Sequence, residues 1–258
     1  MAAESSAPSW HFDGSPGVSV TMGYKMTHDS GFAPNPFHGV LTLATCKPKI
    51  RAGRRAGDWV AGFASQALVD RAARRGVNIP RDGLVYLMQI REVLPLHAYF
   101  EDNRFAVKQP PRESSDAVAL CGDNIYYRDH RGQYEQLENR YHTRAEAFHD
   151  TSGVNALVAG RFYYFGHKCF VPDGGWSATT GAPLSTGRTF YCPDGFAEKV
   201  LRYFDARGIA EGMHALPILM DEGAAVHPKQ SCAFSVQEPT FAPPVRPGGR
   251  CRSDSCGG

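Results

Sequence analysis

The chain has 258 residues, of which 42% are hydrophobic and 21% are charged, and its formal net charge at pH 7 is +2. This length and composition are typical of one large globular domain, whose core needs no metal or disulfide to hold it together. No apolar run approaches the roughly 20 residues of a bilayer-spanning helix. The N-terminus also lacks the charged start and apolar core of a secretory signal, so we expect a cytoplasmic location.

The first quarter of the chain predicts three strands. Residues 1–16 are rich in Ser, Pro and Gly and are expected to be a disordered tail. Residues 17–26 nearly alternate apolar and polar side chains, as a half-buried strand does. Residues 39–46 are rich in β-branched side chains, and residues 59–64 form an apolar run after a Gly-Asp turn, so both predict further strands.

A helix and a long strand are predicted next. Residues 65–76 have helical spacing of their apolar side chains, with Ser65 as the candidate N-cap and Gly76 just past the end. Residues 83–93 predict a long strand, and residues 95–105 a short helix that starts on a proline.

The second half mixes strands and helices without regular alternation. Residues 118–129 and 154–171 predict strands, residues 134–150 predict a weak helix, and residues 194–208 predict the best amphipathic helix of the chain. This strand-rich order predicts an α+β fold. We expect one domain over residues 17–228, followed by a disordered Pro-, Gly- and Cys-containing tail over residues 229–258.

Positive charge is concentrated in one segment. Eight basic and two acidic residues lie between positions 47 and 75, a local net charge of +6 against −4 for the remainder. Such a cluster could bind phosphates and release counterions, or it could be a solvated face of a loop and a helix. The basic residues are Lys47, Lys49, Arg51, Arg54, Arg55, Arg71, Arg74 and Arg75.

The loop after the first strand has the highest density of side chains that could act in catalysis or ligand binding. His28 and Asp29 are adjacent, and a histidine oriented by a carboxylate is an acid/base unit. In the alternative reading, Asp29 caps a turn and His28 fills a surface notch. Asn35 lies between two prolines, which hold its backbone in a narrow range so that its side chain projects predictably.

The cysteines do not indicate a disulfide framework or a zinc ribbon, because the seven of them include no C-x-x-C pair. His28, Asp29, His38 and Cys46 have metal-ligand chemistry, but their spacing matches no closed zinc pattern. Cys46 with Lys47 and His28 could form an activated thiolate, or it could be a buried, inert thiol. We therefore predict no metal and no organic cofactor.

Two Gly-Asp turns precede strands that contain aromatic residues. Asp58, or Asp123 with Asn124, could hydrogen-bond a polar ligand edge, whereas the alternative is ordinary turn chemistry. Neighbouring aromatics could stack on a base or belong to the core; they are Trp59, Phe63, Tyr126 and Tyr127. Motifs of the P-loop, Rossmann and α/β-hydrolase types are absent from the sequence.

The order Thr27-His28-Asp29, then residues 31–36, then residues 41–48 resembles the nucleotide modification associated domain, type 2 family. Further similar pieces extend the resemblance over residues 20 to 220 or thereabouts. It implies a role in systems that make, read or process modified nucleotides. The order of elements also resembles PUA-like domains, which implies a mixed β-barrel with peripheral helices and a C-terminal elaboration.

The resemblance implies a protein that handles a nucleotide or modified base in nucleic-acid modification, with the base in a pocket walled by the loop at residues 27–36. The partner would be a nucleotide or nucleic acid, DNA rather than RNA, and no membrane is expected. One alternative is an enzyme that modifies or hydrolyses a nucleotide with His28 and Asp29 as its catalytic acid/base pair. Another is a non-catalytic protein-interaction module. The expected ligand-binding residues are Thr27, Phe32, Asn35, Thr42, Lys47, Arg51, Asp58, Trp59, Ser65, Asp123 and Asn124.

Overall fold

The computed structural model describes residues 19–220. The tails expected at residues 1–16 and 229–258 lie outside the described residues. The strands are β1 (Thr21–Met26), β2 (Thr42–Leu43), β3 (Trp59–Ala64), β4 (Leu84–Pro95), β5 (Tyr126–Arg128), β6 (Tyr134–Gln136), β7 (Asn155–Tyr164), β8 (Thr189–Tyr191) and β9 (Gly212–Met213).

Helices lie between and after these strands. The α-helices are α1 (Pro48–Gly53), α2 (Gln66–Ala73), α3 (Leu96–Glu101), α4 (Ala117–Leu120), α5 (Arg144–Thr151), α6 (Gly175–Thr180) and α7 (Phe196–Asp205). Two 3-10 helices span Asn103–Lys108 and Gly166–Lys168. Within residues 19–220, no helix combines the length and the apolar composition that crossing a bilayer requires.

Seven strands form one mixed sheet, which confirms the α+β class. The order is β2–β7–β4–β3–β1–β8, with β9 also paired to β7, and β5 and β6 form a separate antiparallel pair. The β1–β3 and β7–β9 pairs are parallel. In the part of the chain that the structure describes, β2 and β8 end an open path, so the closed PUA-like barrel is not confirmed.

The sheet separates two hydrophobic cores. Along β7, Leu157 and Ala159 belong to the larger cluster, whereas Ala156 and Val158 belong to a second one. Since neighbouring side chains of a strand point to opposite faces, the two clusters lie on opposite sides of the sheet. The second cluster packs beneath the loop that follows β1, because it includes Phe32.

Several predicted elements are confirmed. The predicted amphipathic helix is α7, whose buried face includes Val200 and Phe204, and the Phe204 ring lies 4.6 Å from that of Tyr163. Ser65 caps α2, because its hydroxyl accepts a hydrogen bond from the Leu68 N–H. Strands β1, β3, β4 and β7 lie inside their predicted ranges or extend them by two residues.

Two other strand predictions were correct only in part, because β2 and β5 cover only a few residues of the predicted ranges. The strand expected over residues 118–129 starts instead with α4, whose first turn is capped by the Asp116 carboxylate. The predicted strand over residues 39–46 is paired only at β2, since the positive φ angles of Cys46 (55°) and Lys47 (43°) turn the chain out of the sheet. Helix α1 then follows without having been predicted.

Candidate functional site: a cysteine, a histidine and an aspartate

Three side chains from distant parts of the sequence meet beside the end of β2. The Sγ of Cys46 lies 3.5 Å from Nε2 of His142, and Nδ1 of His142 lies 2.6 Å from Oδ2 of Asp150. The imidazole therefore sits between a thiol and a carboxylate. This order is that of a nucleophile, its base and the group that orients the base.

Asp150 is held rigidly at the base of this arrangement. Its carboxylate accepts hydrogen bonds from the Cys46 backbone N–H (2.8 Å) and the Tyr126 hydroxyl (2.9 Å), and its side chain is fully buried. Burial by itself would raise the pKa of Asp150, but the hydrogen bond from His142 and its positive charge hold that pKa below its ordinary value. The carboxylate therefore stays ionised and keeps the Nδ1 proton of His142 facing it.

His142 is charged over a wide pH range. Burial alone would lower its pKa, but the hydrogen bonds with Asp150 and Cys46 raise it to about 10. A protonated imidazole beside sulfur is the partner that a thiolate nucleophile needs. The His142 and Phe32 rings pack at a steep angle of 69°, with 4.9 Å between the ring centroids, which fixes the plane of the imidazole.

A buried guanidinium connects the segment that contains Cys46 with the segment that contains Asp150. Arg51 in α1 has an exposed fraction of 0%. It donates hydrogen bonds to the backbone carbonyl oxygens of Cys46 (2.6 Å), Asn155 (2.6 Å) and Asp150. A Cβ atom at Gly153 would lie 2.6 Å from the Arg51 Cζ, so only glycine leaves room for this side chain. Arg51 thus has a structural role in the site.

Cys46 itself lies on strained backbone. It and Lys47 both have left-handed φ angles, which non-glycine residues rarely adopt and which often occur at functional sites. Cys46 is half-buried, whereas the other cysteines of residues 19–220 are buried. Burial raises the pKa of Cys169 and of Cys192 to about 12, so these two are inert near neutral pH.

The same three residues are also a possible metal-ligand set, since one ligand atom from each lies within 4.8 Å of the others. The bonding pattern argues against that use. Asp150 and Cys46 contact different nitrogens of the His142 ring, so the three groups form a line instead of converging on one point. The Asp150 oxygens are already occupied by the Tyr126 hydroxyl and a backbone N–H. The geometry favours proton transfer over ligation.

The predicted catalytic pair, His28 and Asp29, has two separate environments. His28 is exposed, and its Nε2 lies 2.6 Å from a guanidinium nitrogen of Arg71. Asp29 is buried and accepts hydrogen bonds from the Tyr164 hydroxyl (2.5 Å) and the Ile218 N–H (2.9 Å). Burial raises the pKa of Asp29 to about 6, although both hydrogen bonds oppose the shift. The aspartate holds the segment around residue 218.

Four of the predicted ligand-binding residues belong to a buried network behind the loop. Asp123 accepts hydrogen bonds from the Thr42 hydroxyl at 2.8 Å and from a tyrosine, and Asn124 donates to backbone carbonyls. The Asn35 side chain accepts a hydrogen bond from Lys108 at 2.7 Å. All of these side chains are almost fully buried, so they hold the loop and the 3-10 helix together.

Asp58 lies far from the loop. In the parallel β1–β3 pair, Thr21 is opposite Trp59 and Met26 is opposite Ala64. His28 therefore follows one end of the pair and Asp58 precedes the other, separated by roughly 20 Å of strand at about 3.3 Å per residue. His28 and Asp58, both predicted as site residues, therefore do not lie in one concavity.

The remaining predicted residues are divided between core, cap and surface. Trp59 is buried in the larger core, and Ser65 caps α2. Thr27 is exposed, and Phe32 stacks on Tyr141 at 4.9 Å. Lys47 places its ammonium 4.6 Å from the centre of the Tyr24 ring.

The basic segment does not form one continuous face. Arg51 is buried under Cys46, and Arg54 pairs with Asp58 at 3.5 Å. Its second part, however, lines a cavity of about 350 Å³. The cavity is lined by His28, Ser30, Arg71, Arg74, Arg75, Tyr141 and Leu219.

Sequence reasoning missed His142 and Asp150, the partners of Cys46. One local signal was available, since Thr143 and Glu146 form a capping box that starts α5 directly after His142. A helix starting there places Asp150 two turns further along. That signal places His142 just before the start of a helix and Asp150 near its end, but it does not predict that either residue contacts Cys46.

The family model for nucleotide modification associated domain 2 matches residues 20–172. This is more than half of the chain, and the protein belongs to this family. Comparisons with curated proteins and with solved structures gave no match. The resemblance seen in the sequence is thus confirmed, and it associates the chain with nucleotide modification. The matched range contains all three residues of the cysteine site.

Proposed function

We propose that the protein is a cysteine-dependent enzyme that transfers or hydrolyses an acyl group on a nucleotide. The observation that carries this proposal is the continuous contact from Cys46 through His142 to Asp150. Aligned thiol, imidazole and carboxylate groups of this kind support covalent catalysis on amides, esters and thioesters.

The reaction uses one proton carrier. The Cys46 thiolate attacks the acyl carbon, a C–S bond forms, and the carbonyl π electrons move to oxygen. Collapse of this intermediate breaks the bond to the leaving amine or alcohol, which takes the proton from Nε2 of His142. Water, or another amine, then attacks the thioester and returns its proton to His142, and Cys46 leaves as thiolate. No oxidant or reductant is needed.

Two observations support a nucleotide as the molecule that carries the acyl group. One is membership of a family associated with nucleotide modification. The other is the cavity, which the loop at residues 27–36 walls through His28 and Ser30, and in which Tyr141 offers an aromatic surface. A base or its sugar phosphate can be held there, as expected from the sequence. His28 then acts in binding, and the acid/base role passes to His142.

The test is the rate at which iodoacetamide alkylates Cys46 in the full-length protein at pH 6. An ordinary cysteine with a pKa near 8.5 has less than about 1% thiolate at this pH. With His142⁺ as its ion-pair partner, Cys46 should react at least about tenfold faster than in His142→Ala. Peptide mapping by mass spectrometry assigns the label to Cys46.

His149→Ala is the matched control, because His149 is an exposed histidine on α5. This variant should be alkylated at the wild-type rate. Equal alkylation rates in wild type and His142→Ala would show that His142 does not activate Cys46. The proposal of a cysteine-dependent enzyme would then fail, and a non-catalytic nucleotide-binding protein would be the remaining interpretation. In a second arm, incubation with N-acyl nucleoside monophosphates should give an acyl adduct on Cys46, visible by intact mass, and none in Cys46→Ser.

A further inference from the structure

The cavity lined by His28, Ser30 and Tyr141 also has a strongly basic wall. Arg71 comes from the last turn of α2, and Arg74 and Arg75 follow directly. Within residues 19–220, the groups that line the cavity include no carboxylate side chain. The C-terminal end of a helix carries about −0.5 charge, which the guanidinium groups of Arg71 and Arg74 outweigh.

Two arginines of this wall are positioned by contacts with neighbouring groups. The Arg71 guanidinium contacts the His28 ring, and the Arg75 guanidinium donates a hydrogen bond to the Leu219 carbonyl at 3.1 Å. Burial and the positive charges of Arg71 and Arg75 lower the pKa of His28, so that its ring is a neutral hydrogen-bonding group near pH 7. The positive charge of the wall therefore comes from the arginines.

An aromatic contact joins this wall to the cysteine site. The Phe32 ring stacks on Tyr141, which lines the cavity, at 4.9 Å between ring centroids. The same Phe32 ring packs against the His142 ring at an interplanar angle of 69°, also with 4.9 Å between the ring centroids. Tyr141 and His142 are consecutive residues, and the Phe32 ring thus contacts both a residue of the cavity lining and the base of the triad.

We propose that this cavity binds the phosphate groups of a nucleotide and presents the rest of that nucleotide to Cys46. Arginine suits this task because its planar fork of N–H donors matches two phosphate oxygens at once. A volume of about 350 Å³ lies within the range of small-molecule sites, roughly 300–1,000 Å³. The link to Cys46 rests on the proposed function, whereas anion binding by the arginines stands without it.

The first experiment measures binding of pyrophosphate and of a deoxynucleoside 5′-monophosphate to the full-length protein by isothermal titration calorimetry. Replacing Arg71 and Arg74 together by Gln should raise both dissociation constants by about 10- to 100-fold, the range expected for lost charge-assisted hydrogen bonds. Arg75 is left in place because it holds the Leu219 carbonyl. A circular dichroism spectrum and a melting temperature like those of wild type establish that the variant is folded.

The matched control is Arg55→Gln with Arg81→Gln, which removes the same charge from two exposed positions. Its dissociation constants should stay within about twofold of wild type, because screened surface charges contribute little at physiological salt. Equal weakening in the two double variants would overturn the site in favour of a diffuse charge effect. Absence of pyrophosphate and mononucleotide binding in the wild type would also overturn it.

Free nucleotides and polynucleotides carry the same phosphate chemistry, and salt distinguishes them. A site for a few phosphates should bind the monophosphate and a single-stranded oligonucleotide with similar, shallow salt dependence. If only the oligonucleotide binds, and its affinity falls by orders of magnitude between about 50 and 200 mM salt, a long phosphate track replaces the cavity as the binding surface.

The second experiment tests whether the cavity and Cys46 are one site. Monophosphate at about five times the wild-type dissociation constant should slow alkylation of Cys46 at least about threefold in wild type. At the same concentration it should slow alkylation less than about twofold in the Arg71→Gln, Arg74→Gln variant, whose dissociation constant is about 10- to 100-fold higher. Nucleotide binding without protection of Cys46 would overturn the shared site. If pyrophosphate binds but Cys46 has ordinary reactivity, the proposed function fails and the anion site remains.

Discussion

Two buried aspartates in this protein have similar partners and different consequences. Asp150 accepts a hydrogen bond from the Tyr126 hydroxyl, and Asp123 accepts one from the Tyr99 hydroxyl. Both carboxylates are fully buried. From Asp150 the contacts continue to His142 and then to half-buried Cys46, whereas those of Asp123 end on buried hydroxyl groups.

The charges of the two aspartates differ in the same way. Burial is the largest influence on both pKa values, but for Asp150 the hydrogen bond and charge of His142 reverse it and lower the pKa. For Asp123 burial prevails and the pKa is raised, even though Lys108 opposes the change. A buried, hydrogen-bonded carboxylate is therefore not a sign of a reactive site by itself. What matters is whether its contacts lead to an accessible nucleophile.

The largest effect on folding is expected from Lys108→Met in the Asp123 network. The Lys108 ammonium donates hydrogen bonds to the backbone oxygens of Asn35 and Val40 and to the Asn35 side chain. Removing it takes one hydrogen bond from each of these buried oxygens, although the Thr42 and Phe37 N–H groups still donate to the two Asn35 oxygens. The free energy of unfolding should fall by about 3 kcal/mol. Urea denaturation measures the change.

Lys49→Met is the control, since Lys49 is exposed and should change stability by less than about 0.5 kcal/mol. In folded Lys108→Met, alkylation of Cys46 should keep its wild-type rate. A large loss of Cys46 reactivity in this variant would mean that the two networks are coupled, and the distinction drawn between them would fail.

The next largest effect separates the two carboxylates by reactivity. Asp150→Asn removes the charge that stabilises the His142 imidazolium, so alkylation of Cys46 at pH 6 should slow by about 10- to 100-fold, as for one lost charge-assisted hydrogen bond. Asp123→Asn should leave that rate unchanged while lowering the melting temperature. Similar rates in the two variants would show that Asp150 only supports the fold.

The smallest effect concerns alkaline pH. His142 has a folded pKa of about 10 against an ordinary value of 6.5, so its contribution to stability is fully present below pH 6.5 and is lost as the pH rises toward 10. Because the ring is partly exposed, solvent screening reduces this contribution to about 1–2 kcal/mol. The difference in unfolding free energy between wild type and His142→Gln should shrink accordingly between pH 6 and pH 10.

Lys108 should respond with the opposite sign. Burial lowers its pKa from 10.5 to about 8, so the unfolded chain binds the proton more tightly and stability increases as the pH rises from 8 to 10.5. That increase should be missing from Lys108→Met. Parallel pH profiles for the His142 and Lys108 variants would contradict the opposite directions of the two pKa shifts.

Patterns between neighbouring residues were enough to predict much of the architecture. The amphipathic spacing of α7, the Ser65 cap of α2 and the β-rich runs of β3 and β4 depend on side chains a few positions apart. The α+β class follows from them, and the motif order around residues 27–48 was sufficient to recognise the family. The sequence predicted Cys46 as a possible nucleophile, but with His28 and not His142 as its histidine.

Only the tertiary structure decided which residues meet. Cys46 is 96 residues from His142 and 104 from Asp150, and no local pattern reports contacts over such distances. They meet because β2 pairs with β7, which places Thr42 opposite Val158 and brings the end of β2 close to the helix before β7. Strand pairing is chosen by the packing of the whole sheet, since hydrogen bonds along a strand edge are the same for any sequence. The same packing gives His28 and Asp29, which are adjacent in the sequence, different environments. His28 contacts Arg71 in the wall of the cavity, whereas Asp29 is hydrogen-bonded to Tyr164 in the core.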